Sequence, residues 1–122
     1  MQLTSGIDLV EIKRIQQSIR HPRFLTRVFS DEERQLFREK ANCVRTIAAN
    51  FCAKEAFSKA LGTGIRGFAL AEVSVLRDSL GAPYFSLSGK AREIAEQRKL
   101  KFSVSLTHTE EYAAAVVVAW EG

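Results

Sequence analysis

The sequence predicts an α+β fold in a single domain, and three observations carry that prediction. Strand-like and helix-like segments follow one another in mixed order rather than in strict β-α-β alternation. The stretch from about Arg45 to Leu61 is rich in Ala, Phe and Leu and contains no Gly or Pro, so it reads as one long helix. The run from Tyr112 to Trp120 is apolar at successive positions, which suits a strand that is central in a sheet or covered by other subunits. A chain of 122 residues suffices for one hydrophobic core.

In chain order, residues 3–10 are β-prone and predict a first strand ending near Asp8. From Val10 the period changes: Ile12, Ile15 and Ile19 recur at helical spacing, and Pro22 limits that helix. Ser30-Asp31-Glu32-Glu33 is a capping box opening a helix that runs to about Lys40. The long helix stops at Gly62-Thr63-Gly64. A strand is expected within Phe68 to Leu76, then the turn Leu80-Gly81-Ala82-Pro83 into Tyr84–Leu87. Ser88 to Leu100 reads as helix. Phe102, Val104 and Leu106 alternate with Ser103 and Ser105 in a strand, which the polar turn 107–111 joins to the last one.

Composition narrows the function only coarsely. The hydrophobic fraction is 46% and the charged fraction 26%, both ordinary for a globular domain. The net charge of +4 favours an acidic partner, whether phosphate, nucleic acid or an acidic protein. Cys43 and Cys52 cannot build a disulfide framework, and their spacing matches no metal motif. No segment reads as a signal peptide or a membrane span, so a cytoplasmic protein is expected.

Four positions combine chemistry with placement. Glu55 and Lys59 share a helix face at i,i+4, as an ordinary salt bridge or as a carboxylate for a hard cation beside an ammonium for a phosphate. Asp8, at a strand end, either caps the next helix or joins Glu55 around Mg²⁺, which takes one or two protein carboxylates. His108, in a turn, is a surface residue or a phosphate contact. Arg14, Arg20, Arg23 and Arg27 form a solvated basic face or a seat for an acidic helix.

Three blocks tie these positions together: Gly6-Ile7-Asp8-Leu9-Val10-Glu11-Ile12-Lys13-Arg14-Ile15, Phe51-Cys52-Ala53-Lys54-Glu55-Ala56-Phe57-Ser58-Lys59-Ala60-Leu61-Gly62-Thr63-Gly64-Ile65, and Ser103-Val104-Ser105-Leu106-Thr107-His108-Thr109-Glu110-Glu111-Tyr112-Ala113. In sequence, order and spacing they resemble the holo-acyl-carrier-protein synthase family of phosphopantetheinyl transferases, and the whole chain is of that family's short type. The resemblance implies a mostly antiparallel sheet packed on a long central helix. It also implies transfer of 4'-phosphopantetheine from coenzyme A to a serine of apo-acyl carrier protein, releasing adenosine 3',5'-bisphosphate, in fatty acid biosynthesis.

By the same resemblance, Asp8 and Glu55 bind Mg²⁺, and Glu55, Lys59 and His108 serve catalysis. Arg45, Ser58, Lys59, Gly62, Thr63, Gly64, Ile65 and His108 contact coenzyme A. Arg14, Arg20 and Arg23 receive the carrier protein, and the short members resemble homotrimers with active sites between subunits. Two departures stand out: Asn50 occupies a position that is usually basic, and the family's Gly-Lys-Pro turn is Gly81-Ala82-Pro83 here. Cys52 replaces a usual alanine and is expected to be a small buried filler. The competing class is a non-catalytic basic module for nucleotide or RNA. It has the positive charge but lacks aromatics interleaved on a basic strand.

Overall fold

The computed structural model describes residues 2–41, 43–62 and 67–122. Strand β1 (Leu3–Glu11) leads into three short helices, α1 (Ile12–Ser18), α2 (Pro22–Val28) and α3 (Asp31–Arg38), and then the long α4 (Cys43–Leu61). A single 3₁₀ turn (Leu70–Glu72) precedes the hairpin β2 (Val73–Arg77) and β3 (Pro83–Leu87). Helix α5 (Gly89–Gln97), β4 (Leu100–His108) and β5 (Tyr112–Glu121) complete the fold. The main sheet has the order β1-β5-β4, antiparallel throughout, and β2-β3 form a separate antiparallel pair. The α+β architecture and the central last strand are as the sequence predicts.

Small side chains let α4 lie close on the sheet. Ala48, Ala56 and Ala60 of the helix and Ala113, Ala115 and Val117 of β5 are all buried in one core. A second core gathers around Phe57, whose ring meets Phe68, Phe85 and Phe102 at centroid distances of 5.7, 5.2 and 4.7 Å. Edge-on and tilted aromatic contacts of this kind add to simple burial. Among the described residues nothing covers the opposite face of the sheet, leaving Ile7 67%, Leu9 64% and Val116 38% exposed.

Several local expectations need correction. Pro22 does not merely end the first helix; it opens α2, since its fixed φ and missing N–H suit a first helical turn. The strand expected within 68–76 is β2, which begins at Val73 after the 3₁₀ turn and runs one residue further, to Arg77. The capping box is present, with Ser30 Oγ accepting from the Glu33 amide at 3.2 Å.

Candidate active site

Asp8 reaches the helix because of its neighbour Gly6. A Cβ at Gly6 would collide with the Ala56 carbonyl oxygen and stand 2.7 Å from the Ala60 nitrogen, so only glycine lets β1 press onto α4 there. Residues two apart on a strand share a face, and Asp8 is therefore also turned to α4. The helix-capping reading of Asp8 is overturned. Asp8 lies inside β1, and Glu11 is the residue at the α1 N-terminus.

Lys59 meets Asp8 across the gap. Its Nζ donates to the Ile7 carbonyl at 2.9 Å and lies 3.4 Å from Asp8 Oδ1. Among the described residues, Lys59 forms no salt bridge with Glu55, so the simple i,i+4 pairing within the helix is not what is observed. Burial pushes the Glu55 carboxyl up from its ordinary value, the Asp8 charge adds to that rise, and Lys59 counters it. Two carboxylates that feel each other, with one ammonium beside them, form an acidic cluster suited to a cation.

Among the described residues no group of three or more His, Cys, Asp and Glu side chains could hold a metal. Asp8 and Glu55 fit Mg²⁺, which keeps several waters and takes further oxygens from phosphates. Cys52 lies beneath them, fully buried, with its Sγ donating to the Ala113 carbonyl at 3.3 Å. Burial first, then Asp8, pushes its thiol up to about 12, so it stays neutral packing.

His108 stands apart from this trio. In sheet register Asp8 aligns with Ala115 and Leu106, whereas His108 aligns with Ala113 and Val10, on the far strand from Asp8. His108 instead lines a cavity of about 240 Å³ together with Arg45, Thr46, Arg77, Pro83 and Thr107. The structure thus sorts the expected residues into an acidic cluster (Asp8, Glu55, Lys59) and a basic cavity (Arg45, His108). Gly62 ends α4 with φ +79, its amide donating to the Lys59 carbonyl at 3.0 Å. Thr63, Gly64 and Ile65 lie outside the described residues.

Ser58 is 2% exposed and its hydroxyl donates to the Lys54 carbonyl at 3.1 Å, so its side chain faces the core of the chain. Arg14, Arg20 and Arg23 are exposed on α1, in the turn after it and on α2.

Sequence reasoning missed a buried polar network behind the basic cavity. Lys54 Nζ lies 2.5 Å from Glu33 Oε1 and also donates to the Leu70 and Val73 carbonyls. Asn50 joins Glu33 to Arg77. Arg77, which also lines that cavity, was left unread; its place after Val73 and Val75 on a strand was the available signal.

A family model described as the 4'-phosphopantetheinyl transferase superfamily matches residues 5–117. The chain is 39% identical to the holo-[acyl-carrier-protein] synthase of Caldanaerobacter subterraneus over 124 residues, covering 100% of this chain and 98% of that protein. In structure it is similar to the holo-[acyl-carrier-protein] synthase of Neisseria meningitidis, with a TM-score of 0.91 at 33% identity over 97% of this chain and 98% of that one. It is also similar to the ACPS–CoA complex of Chronobacterium ammoniagenes, with a TM-score of 0.86 at 27% identity over 100% and 99% of the two chains.

Proposed function

The chain belongs to the 4'-phosphopantetheinyl transferase superfamily, and from that premise we propose that it is a holo-acyl-carrier-protein synthase. It moves the phosphopantetheine arm of coenzyme A onto a serine of apo-acyl carrier protein and releases adenosine 3',5'-bisphosphate. One observation carries the site assignment: Asp8 of β1 and Lys59 of α4 meet at 3.4 Å, beside a Glu55 whose carboxyl feels the Asp8 charge.

In this reading the serine hydroxyl attacks the β-phosphorus of coenzyme A, and the bond to the adenosine-side phosphate oxygen breaks. Glu55, directly or through a bound water, is the candidate to accept the hydroxyl proton. Lys59, already fixed by the Ile7 carbonyl, donates to the departing phosphate and balances its growing charge. Asp8 and Glu55 would hold Mg²⁺, which supplies charge neutralisation at the diphosphate. Arg45 and His108 hold phosphate oxygens of coenzyme A from the neighbouring cavity. Arg14, Arg20 and Arg23 present positive charge to the acidic carrier protein.

The bare face of the main sheet, with Ile7, Leu9 and Val116, is read as a subunit interface of a homotrimer, since a monomer gains nothing by exposing it. A cytoplasmic site of action belongs to the same reading; among the described residues no helix is long and apolar enough to cross a membrane. The competing RNA- or nucleotide-binding module gains no support from the relatives. The test mixes the protein with apo-acyl carrier protein, coenzyme A and Mg²⁺ and looks by mass spectrometry for the phosphopantetheine adduct. Its appearance is expected. Its absence with a folded enzyme and a competent carrier removes the proposal.

A further inference from the structure

Asn50 and Arg77 form a unit that the mechanism above does not use. Asn50 lies within α4 with 0% exposure, so it cannot touch a ligand, and a buried amide must find partners inside the protein. Its Nδ2 donates to Glu33 Oε2 at 3.0 Å and to the Val75 carbonyl at 2.9 Å. A carboxylate and a carbonyl only accept, so the amide fits one way round, with Oδ1 turned towards β2. There Oδ1 accepts from Arg77 Nη2 at 2.8 Å.

Arg77 closes β2 on the same face as the buried Val73 and Val75, and its side chain joins the wall of the cavity that Arg45 and His108 also line. The charges around it do not cancel. Glu33 supplies one carboxylate, which Lys54 already engages at 2.5 Å, and Arg77 adds a second cation. Among the described residues Arg77 has no carboxylate partner in a salt bridge, and no Asp or Glu lines the cavity. Arg77 is held by Asn50 and by the Val75 and Leu76 carbonyls and shares its one nearby carboxylate, Glu33, with Lys54, so with Arg45 and His108 in the same wall the cavity keeps net positive charge for an anion, and the planar fork of a guanidinium matches a phosphate.

We infer that Asn50 is a positioning residue that aims Arg77 at a phosphate of the donor in this cavity. The inference rests on the transferase reading and adds to it a binding residue on β2 and the amide that orients it. Coenzyme A offers two phosphate sources, a 3'-monoester and a diphosphate, and both present the same chemistry to a guanidinium.

The test measures kcat and KM of the wild type, Arg77→Gln, Asn50→Ala and the double variant, using coenzyme A and 3'-dephospho-coenzyme A at saturating carrier protein. Arg77→Gln is expected to raise the KM for coenzyme A about tenfold, with kcat held within about twofold. Asn50→Ala should raise it in the same sense, and the double variant should be no worse than Arg77→Gln alone, because Asn50 acts through Arg77. An equal rise with the dephospho donor supports contact with the diphosphate; a rise confined to coenzyme A supports contact with the 3'-monoester.

An unchanged KM for both donors in folded Arg77→Gln overturns the inference. So does Asn50→Ala that lowers the melting temperature yet leaves KM alone. If Asn50→Ala does not fold, Asn50→Ser, which keeps an oxygen, replaces it and must show the same KM shift. A wild type without transfer activity would instead strike the transferase reading. Calorimetry with adenosine 3',5'-bisphosphate, comparing wild type and Arg77→Gln, then tests the anion cavity by itself.

Discussion

Lys59 Nζ lies 3.4 Å from Asp8 Oδ1 and 2.9 Å from the Ile7 carbonyl, so one ammonium joins the middle of β1 to the last turn of α4. The lysine is 55% exposed at its side chain and the aspartate 19%, which makes the pair a weak brace for the fold. Its value lies in the charge it holds beside two carboxylates. Lys59→Met, which keeps the stem, should therefore leave the circular dichroism spectrum intact and lower phosphopantetheine transfer by roughly 100-fold or more. A rate within about threefold of wild type, by the mass-spectrometric assay, would contradict the assignment.

Asp8→Asn and Glu55→Gln change charge with almost no change of shape. Each should abolish transfer while the protein stays folded. Chelation of the wild type with EDTA should do the same, and added Mg²⁺ should restore the rate. Turnover near normal in either variant, or in the chelated enzyme, counts against the metal assignment.

Lys54 and Glu33 are both fully buried, and the lysine also satisfies two backbone carbonyls. Burial pulls the Lys54 pKa down while Glu33 raises it, so the charged pair survives only because each partner is present. Lys54→Met strands the Glu33 carboxylate in the core. A loss of about 3–5 kcal/mol is expected, read from the midpoint of urea unfolding. A loss below about 1 kcal/mol would show that the pair matters little to stability.

Val116→Glu places a charge in the exposed apolar face shared with Ile7 and Leu9. Sedimentation velocity should show trimers for the wild type and monomers for the variant, with transfer lost alongside if sites lie between subunits. A wild type that sediments as a monomer at micromolar concentration rules out this use of the face.

Much of this was legible in the sequence, and the gaps share a cause. The capping box at Ser30 and Glu33 shows because it is written within four residues, and β5 shows as central because its apolar residues fall on both faces. The Gly6 contact with α4 was not legible, since a glycine in a strand does not say what presses on it. The burial of Ser58 was not legible, because helical phase alone does not tell which face of an apolar helix is the core. Arg77 was missed because its meaning depends on Asn50, and theirs on Glu33, three residues that only the tertiary fold unites.

The position of β5 between β1 and β4 has a consequence for how the chain comes to be folded. Leu3 pairs with Trp120, and Leu100 with Glu121, so both flanking strands wait for the segment made after them. On the ribosome β1 is made before β5 and finds its sheet partner only after synthesis has passed the residues between them. Closing so long a loop is slow, and the interim species displays a lone strand edge. Premature termination within β5 would therefore cost the entire three-stranded sheet rather than its rim, and nascent chains halted there are the ones quality control must catch.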